Sequence, residues 1–267
     1  MSRIVEVFAT LKREGKKGFI PFIVAGDPDP ETTCELLVEL ANSGANIIEL
    51  GIPFSDPMAD GPVIQRASER ALRHNAGVEG VLRMTAKARE KMNVPVVLFS
   101  YYNPLMQYGL AKLGKDAKEA GIDGVLVTDL TPEESEDFLP AMEANGLDPI
   151  FLVAPTSTDE RLQIIAARTR GFIYAVSRAG VTGARADVSR VAKELVGRVR
   201  QFSALPVAVG FGISNADQVA DTWTYADAAV VGSAIVAEIE RCSPSTDVVH
   251  RVGEFSRGLL PGNSRKE

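Results

Sequence analysis

The sequence predicts an α/β fold closed into a single (β/α)8 barrel, the TIM-barrel architecture. Three observations carry the expectation. Eight short apolar runs, at residues 19–25, 46–50, 95–101, 124–129, 149–154, 172–177, 206–210 and 228–232, alternate with polar-periodic stretches of helical length. Strict alternation of strand and helix gives parallel strands joined by right-handed crossovers. Most of the runs are near-continuous in Val, Ile and Leu, as strands covered on both faces require. A faint repeat completes the pattern: Ser43-Gly44-Ala45-Asn46, Ala120-Gly121-Ile122-Asp123 and Asn145-Gly146-Leu147-Asp148 share one grammar. In each a helix ends, a glycine caps it and a strand begins. An open doubly wound sheet is the alternative. It would carry a glycine-rich turn after its first strand, and Ala25-Gly26-Asp27-Pro28 is not GxGxxG.

The elements follow in order. Residues 3–13 read as an extra N-terminal helix placed to cap the barrel bottom. Helices are expected at 30–43, 132–145, 187–203 and 233–257. The stretch 61–92 exceeds one helix, and Asn75-Ala76-Gly77 splits it. Long loops follow strands two and six; the second, 177–187, is rich in small residues and long enough to act as a lid. Residues 1–257 form one catalytic domain, and 258–267 a flexible tail. Trp223-Thr224-Tyr225-Ala226-Asp227 is an aromatic-rich approach to strand eight with no chemistry assigned to it.

Composition narrows the function. The net charge is −6 with dispersed basic residues, which argues against a nucleic-acid face. No apolar stretch reaches membrane-spanning length, and the start lacks a secretory apolar region. A cytoplasmic enzyme is expected. Cys34 and Cys242 are lone thiols without CxxC or histidine partners, and His74 and His250 lack ligand spacing, so no metal site is expected.

Barrel enzymes work at the C-terminal ends of their strands. Glu49 sits at the end of strand two, where burial raises a carboxylate's pKa and suits it to donate and accept a proton near neutrality. Eleven residues on, Asp60 ends a Pro/Asp/Ser loop that returns a second carboxylate over the strand end. Asp56 and Asp60 have an alternative use as caps for the following helix. After strands seven and eight, Gly210-Phe211-Gly212 and Val231-Gly232-Ser233 place glycines where strands give way to helices. Such turns let backbone approach a ligand and present helix N–H groups to an anion, the common phosphate site of this fold. Gly180-Val181-Thr182-Gly183 would close over the same anion. Between the anion end and the carboxylate end lie Phe22, Phe99, Leu126, Tyr174 and Phe211. A flat apolar ligand with a phosphorylated tail suits that arrangement.

On these residues the sequence resembles the alpha subunit of tryptophan synthase. The matching segments are Phe22-Ile23-Val24-Ala25-Gly26-Asp27-Pro28, the block from Glu49 to Gln65, Ser177-Arg178-Ala179-Gly180-Val181-Thr182-Gly183 and Gly210-Phe211-Gly212-Ile213-Ser214. They span nearly the whole chain. The resemblance implies retro-aldol cleavage of indole-3-glycerol phosphate to indole and glyceraldehyde 3-phosphate, without cofactor or metal in this chain. It implies Glu49 as the acid–base residue, Asp60 as the carboxylate facing the indole N–H, and Tyr174 as the tyrosine near Glu49. Gly183, Gly212, Gly232 and Ser233 match phosphate-binding backbone. Phe22, Leu126 and Phe211 match the indole pocket, and Thr182 the lid threonine. Phe99 departs from the family pattern, standing where a smaller aliphatic is frequent. The resemblance also implies a pyridoxal-phosphate β subunit as partner in an α2β2 heterotetramer, with Pro53, Asp56, Asn103 and Pro132 in matching interface segments. The alternatives are a lyase that works alone, a non-catalytic phosphate-binding barrel, and a related barrel such as indole-glycerol-phosphate synthase, which would carry a strand-end lysine.

Overall fold

The structure, a computed structural model, describes residues 2–176, 185–210, 212–243 and 245–262, with backbone only for 185–188. Its strands are β1 (Gly18–Val24), β2 (Ile48–Gly51), β3 (Val96–Ser100), β4 (Gly124–Val127), β5 (Asp148–Ile150), β6 (Leu152–Val153), β7 (Ile173–Val176), β8 (Val207–Gly210) and β9 (Ala228–Val231). They form one parallel sheet in the order β5-β4-β3-β2-β1-β9-β8-β7-β6. The single run expected at 149–154 is thus two segments. β5 pairs with β4, and β6, one residue on, pairs with β7. Pro149 has no N–H to give a ladder, and the carbonyls of Pro149 and Phe151 accept from Arg170 and Tyr174 instead. This one stave therefore closes the barrel.

Ahead of the sheet runs α1 (Arg3–Arg13), with the bounds read from the sequence. Ser2 caps it by accepting the Val5 N–H at 3.3 Å. Its apolar stripe, Ile4, Phe8 and Leu11, enters the barrel's inner cluster beside Ile20, Ile47, Val97 and Phe172. Phe8 and Phe172 meet at 5.7 Å between ring centroids. Asp123, at the start of β4, receives Arg3 at 2.6 Å and Arg89 at 2.9 Å, which fastens this bottom plug.

The outer layer begins with α2 (Pro30–Asn42), started by Asp29 as cap and Pro30 in the first turn. Next come α3 (Pro62–Leu72) and α4 (Val78–Arg89), separated as expected around Asn75, whose φ of 51° ends the first helix. Between β3 and β4 lie α5 (Tyr102–Tyr108) and α6 (Leu110–Glu119). The helix expected at 132–145 is broken into a 3-10 turn at Pro132–Glu134 and α7 (Phe138–Glu143). Then follow α8 (Asp159–Arg168), α9 (Arg185–Phe202) and α10 (Ala216–Trp223). The helix expected at 233–257 is likewise two, α11 (Ser233–Cys242) and α12 (Val248–Gly258). Leu259, inside the segment read as a tail, is buried in the outer core, and 263–267 lie outside the described residues. The aromatic approach to β9 has a structural use: Trp223 Nε1 donates to the Gly18 carbonyl at 2.8 Å, pinning α10 to the start of β1.

Candidate active site

Strand register builds the site. The period of two along each strand sends Ile20 and Phe22, Ile47 and Glu49, Val97 and Phe99, and Phe172 and Tyr174 to the barrel interior. The lower member of each pair joins the plug. The upper members, Phe22, Glu49, Phe99 and Tyr174, line a cavity of about 340 Å³ at the C-terminal end. Phe22 lies opposite Glu49 in the β1–β2 ladder, and its ring meets Phe99 edge-on at 5.1 Å. This is enough room for a small organic ligand.

Glu49 is fully buried, and neither carboxylate oxygen has a hydrogen-bond partner among the described residues. Burial pushes its pKa well above the ordinary glutamate value. A buried carboxylate without a hydrogen-bond partner is costly, and the cost falls when it is protonated or meets a ligand. Tyr174 is also buried; burial first, and then the Glu49 charge, push its hydroxyl well above the usual phenol range. The close packing here sets a nearby residue: a methyl at Gly210 would land on the Tyr174 hydroxyl.

Asp60 reaches the cavity from the loop after β2. Burial raises its pKa, opposed by a hydrogen bond from the Tyr101 hydroxyl to its Oδ2 at 3.1 Å. The helix-cap alternative fails for both loop aspartates. Gly61 is the N-cap of α3 and makes no side-chain cap bond, while Asp56 is exposed and its carboxylate accepts from the Ser55 hydroxyl at 2.6 Å.

At the opposite end Gly212, with φ of 76°, Gly232 and Ser233 line the cavity. Ser233 is the first residue of α11, where helix N–H groups favour an anion. Leu126 pairs with Phe99 across the β3–β4 ladder and is fully buried in the inner cluster that also holds Tyr174. Thr182, Gly183 and Phe211 lie outside the described residues. Of the expected interface residues, Asp56 and Asn103 are exposed, whereas Pro53 and Pro132 are buried. Sequence reasoning missed Tyr101 and the first turn of α3, where Pro62, Val63 and Ile64 add an apolar wall. The available signal was position: Tyr101 follows β3 directly, beside the Glu49 strand.

The sequence model of the tryptophan synthase alpha chain family matches residues 8–259. The tryptophan synthase alpha chain of Solibacter usitatus is 48% identical over 262 residues, 98% of each chain. That of Ralstonia nicotianae is 52% identical over 246 residues, 91% of this chain and 92% of the other. The chain belongs to the tryptophan synthase alpha chain family. Solved structures agree. The alpha subunit from Legionella pneumophila superposes with a TM-score of 0.90 at 38% identity, covering 97% of both chains. A Mycobacterium tuberculosis tryptophan synthase chain gives 0.87 at 38% identity, covering 98% of this chain and 99% of that one. As a member of the tryptophan synthase alpha chain family, the protein is a carbon–carbon lyase of tryptophan biosynthesis. It cleaves indole-3-glycerol phosphate to indole and glyceraldehyde 3-phosphate, and indole passes to a β subunit for tryptophan synthesis. No lysine lines the cavity among the described residues, unlike the strand-end lysine a synthase-type barrel would need.

Proposed function

We propose that the cavity holds indole-3-glycerol phosphate with its phosphate at Gly212, Gly232 and Ser233 and its ring against Phe22 and Phe99, and that two carboxylates divide the chemistry. The observation that carries the assignment is Glu49, buried and unpartnered in the cavity wall. Its raised pKa keeps the proton that must go to indole C3. As C3 is protonated, positive charge develops at the ring nitrogen. Asp60, polar-bonded and nearer solvent, faces that N–H and stabilises the charge only on the way to the transition state. The Glu49 carboxylate then takes the proton of the glycerol hydroxyl next to the ring. The carbon–carbon bond breaks, its electron pair returns to the ring, and an aldehyde is left. Protons and electrons balance, and Glu49 is regenerated.

Tyr174 stays a neutral phenol at the cavity wall and orients the glycerol hydroxyl. Thr182, Gly183 and Phe211 are assigned to the lid, the phosphate and the ring on the strength of the resemblance. The scheme asks no cofactor of this chain, because proton transfers alone complete it; pyridoxal phosphate is assigned to the partner β subunit. The assembly is taken as α2β2. The β subunit is placed against Asp56 and Asn103, with Pro53 and Pro132 beneath that face. Met58, 90% exposed in the same loop, and a groove shared by Phe54 and Leu72 give it apolar surface to cover. Among the described residues no helix is long and apolar enough to cross a membrane, and both cysteines are free thiols. A cytoplasmic location suits both.

The test is indole release from indole-3-glycerol phosphate, with and without a β subunit, for wild type and Glu49→Gln. Slow cleavage alone, activation by β and near-complete loss in the variant are expected. Fast cleavage without β would make this a lyase that works alone. Full activity in Glu49→Gln would remove Glu49 from the chemistry.

A further inference from the structure

Arg70 lies outside the cavity, two turns into α3, yet it joins three elements that each supply a wall of the site. Its Nε donates to Asp27 Oδ1 at 2.7 Å and its Nη2 to Asp27 Oδ2 at 3.0 Å. Its Nη1 donates to Glu240 Oε1 at 2.7 Å. Arg66, one turn earlier, holds the same Glu240 through two bonds of 2.8 and 2.7 Å. Asp27 follows β1 and is fully buried; Glu240 sits on α11.

Each element carries something different. β1 presents Phe22, α3 follows Asp60 and presents Val63 and Ile64, and α11 begins with Ser233 at the anion end. The two arginines and two carboxylates balance in charge. A planar guanidinium bonded to two carboxylates on separate elements fixes both separation and angle, which an ammonium on a flexible stem does not.

We propose that Arg70 is a positioning residue that sets the span between the ring end and the phosphate end of the site, by locking α3 to α11 and to the end of β1. This rests on the substrate orientation given under Proposed function. A ligand with both ends gains from the second contact only if the two subsites sit at the right distance. A small misplacement costs such a ligand far more than it costs either fragment.

The experiment is calorimetric titration of indole-3-propanol phosphate, an unreactive double-ended ligand, beside indole and glycerol 3-phosphate. Wild type, Arg70→Met, Glu240→Ala and Glu240→Gln are compared, with steady-state cleavage measured in parallel. In Arg70→Met and Glu240→Ala the double-ended ligand should bind at least about tenfold more weakly, and each fragment less than about threefold. KM for cleavage should rise with it. Glu240→Gln keeps one oxygen able to accept from both Arg66 Nε and Arg70 Nη1 and loses only the Oε2 acceptor of Arg66, so it should stay within about threefold of wild type. A loss of folded protein alone would lower the number of binding sites and leave these constants unchanged. Should Arg70→Met fail to fold because Asp27 is left buried and unpaired, Glu240→Ala still decides, since it leaves the Arg70–Asp27 pair intact. Fragments weakened as much as the double-ended ligand, or no change in any constant, overturns the proposal. Wild type binding the double-ended ligand no better than its fragments would instead overturn the substrate orientation, and this inference with it.

Discussion

The Tyr101 hydroxyl joins the loop after β2 at two points: it donates to Asp60 Oδ2 at 3.1 Å and accepts the Ala59 N–H at 2.9 Å. Its ring meets Phe54 of the same loop at 5.3 Å. The loop that delivers Asp60 is therefore held by a side chain from the neighbouring strand end. Burial raises the Asp60 pKa, and the Tyr101 bond pulls it back down.

Tyr101→Phe removes that bond and leaves the burial. The Asp60 carboxyl should then hold its proton to higher pH, so the acid limb of the kcat/KM profile moves upward. Loss of a hydrogen bond to a charged group, worth about 1.5 kcal/mol, predicts roughly a tenfold fall in kcat/KM. A pH profile of cleavage settles it. An acid limb that stays in place would show that Tyr101 positions the loop without acting on Asp60's proton.

Glu49→Gln should make the protein less active and more stable. The folded-state pKa of Glu49 lies above its unfolded value, so the folded state binds the proton more tightly. Stability in wild type is then fully present below the ordinary glutamate value of 4.5 and declines as pH rises through the folded pKa. Glutamine carries no charge and escapes that decline. The variant's Tm should exceed wild type at neutral pH, by roughly 2–4 °C for each kcal/mol relieved, and the difference should shrink toward acid pH. Thermal melts at several pH values measure it. Equal melting at pH 7 would mean that Glu49 has a partner when folded.

How much of this was readable beforehand depended on range. Glu49 and Asp60 were legible because a carboxylate on an apolar strand end, or at the close of a proline-rich loop, is anomalous within its own segment. The plug helix was legible as a segment of helical length ahead of the first strand, and the structure adds that Ile4, Phe8 and Leu11 are its buried face. What escaped depends on partners far away in the chain. Arg70 reads as an ordinary surface arginine until Glu240, 170 residues on, comes beside it. The break at Phe151 reflects a stave shared between β4 and β7, which no local pattern encodes.

Gly210→Ala tests the wall beside Glu49. The added methyl would meet the Tyr174 ring and hydroxyl in a cavity wall with no slack. Overpacking of this kind costs about 1–3 kcal/mol. Combining it with Tyr174→Phe removes the hydroxyl and should return part of that loss, so the double variant is more stable than the two single effects add up to. Denaturant titrations of the four proteins give the coupling directly. Strict additivity would mean that the methyl is accommodated elsewhere.

Acid should cost stability by discharging the carboxylate between α3 and α11. The arginines, Arg66 first and then Arg70, hold the Glu240 carboxyl down to about 2 from its ordinary 4.5. A lowered folded pKa gives stability that is present above 4.5 and is lost as pH falls toward about 2. Glu240→Gln should flatten that limb of the stability curve, as read by melts between those pH values. An unchanged limb would place the acid sensitivity on other carboxylates.

Phe8→Ala separates the two ends of the barrel. Phe8 is buried in the plug against Phe172, below the layer that holds Glu49 and Tyr174. Truncating a buried phenylalanine costs about 3–5 kcal/mol, and the Tm should fall by roughly 2–4 °C for each of these. The cavity walls are built from the upper residues of the same strands, and none of them touches α1 through a hydrogen bond or ion pair among the described residues. KM and the kcat of the folded fraction should therefore stay within about twofold of wild type at temperatures well below the transition. A Tm within about 3 °C of wild type would mean that the bottom closes without the plug. A large rise in KM would mean instead that the inner layers move together, so that the span between the carboxylates and the phosphate end is set from below as well as by Arg70.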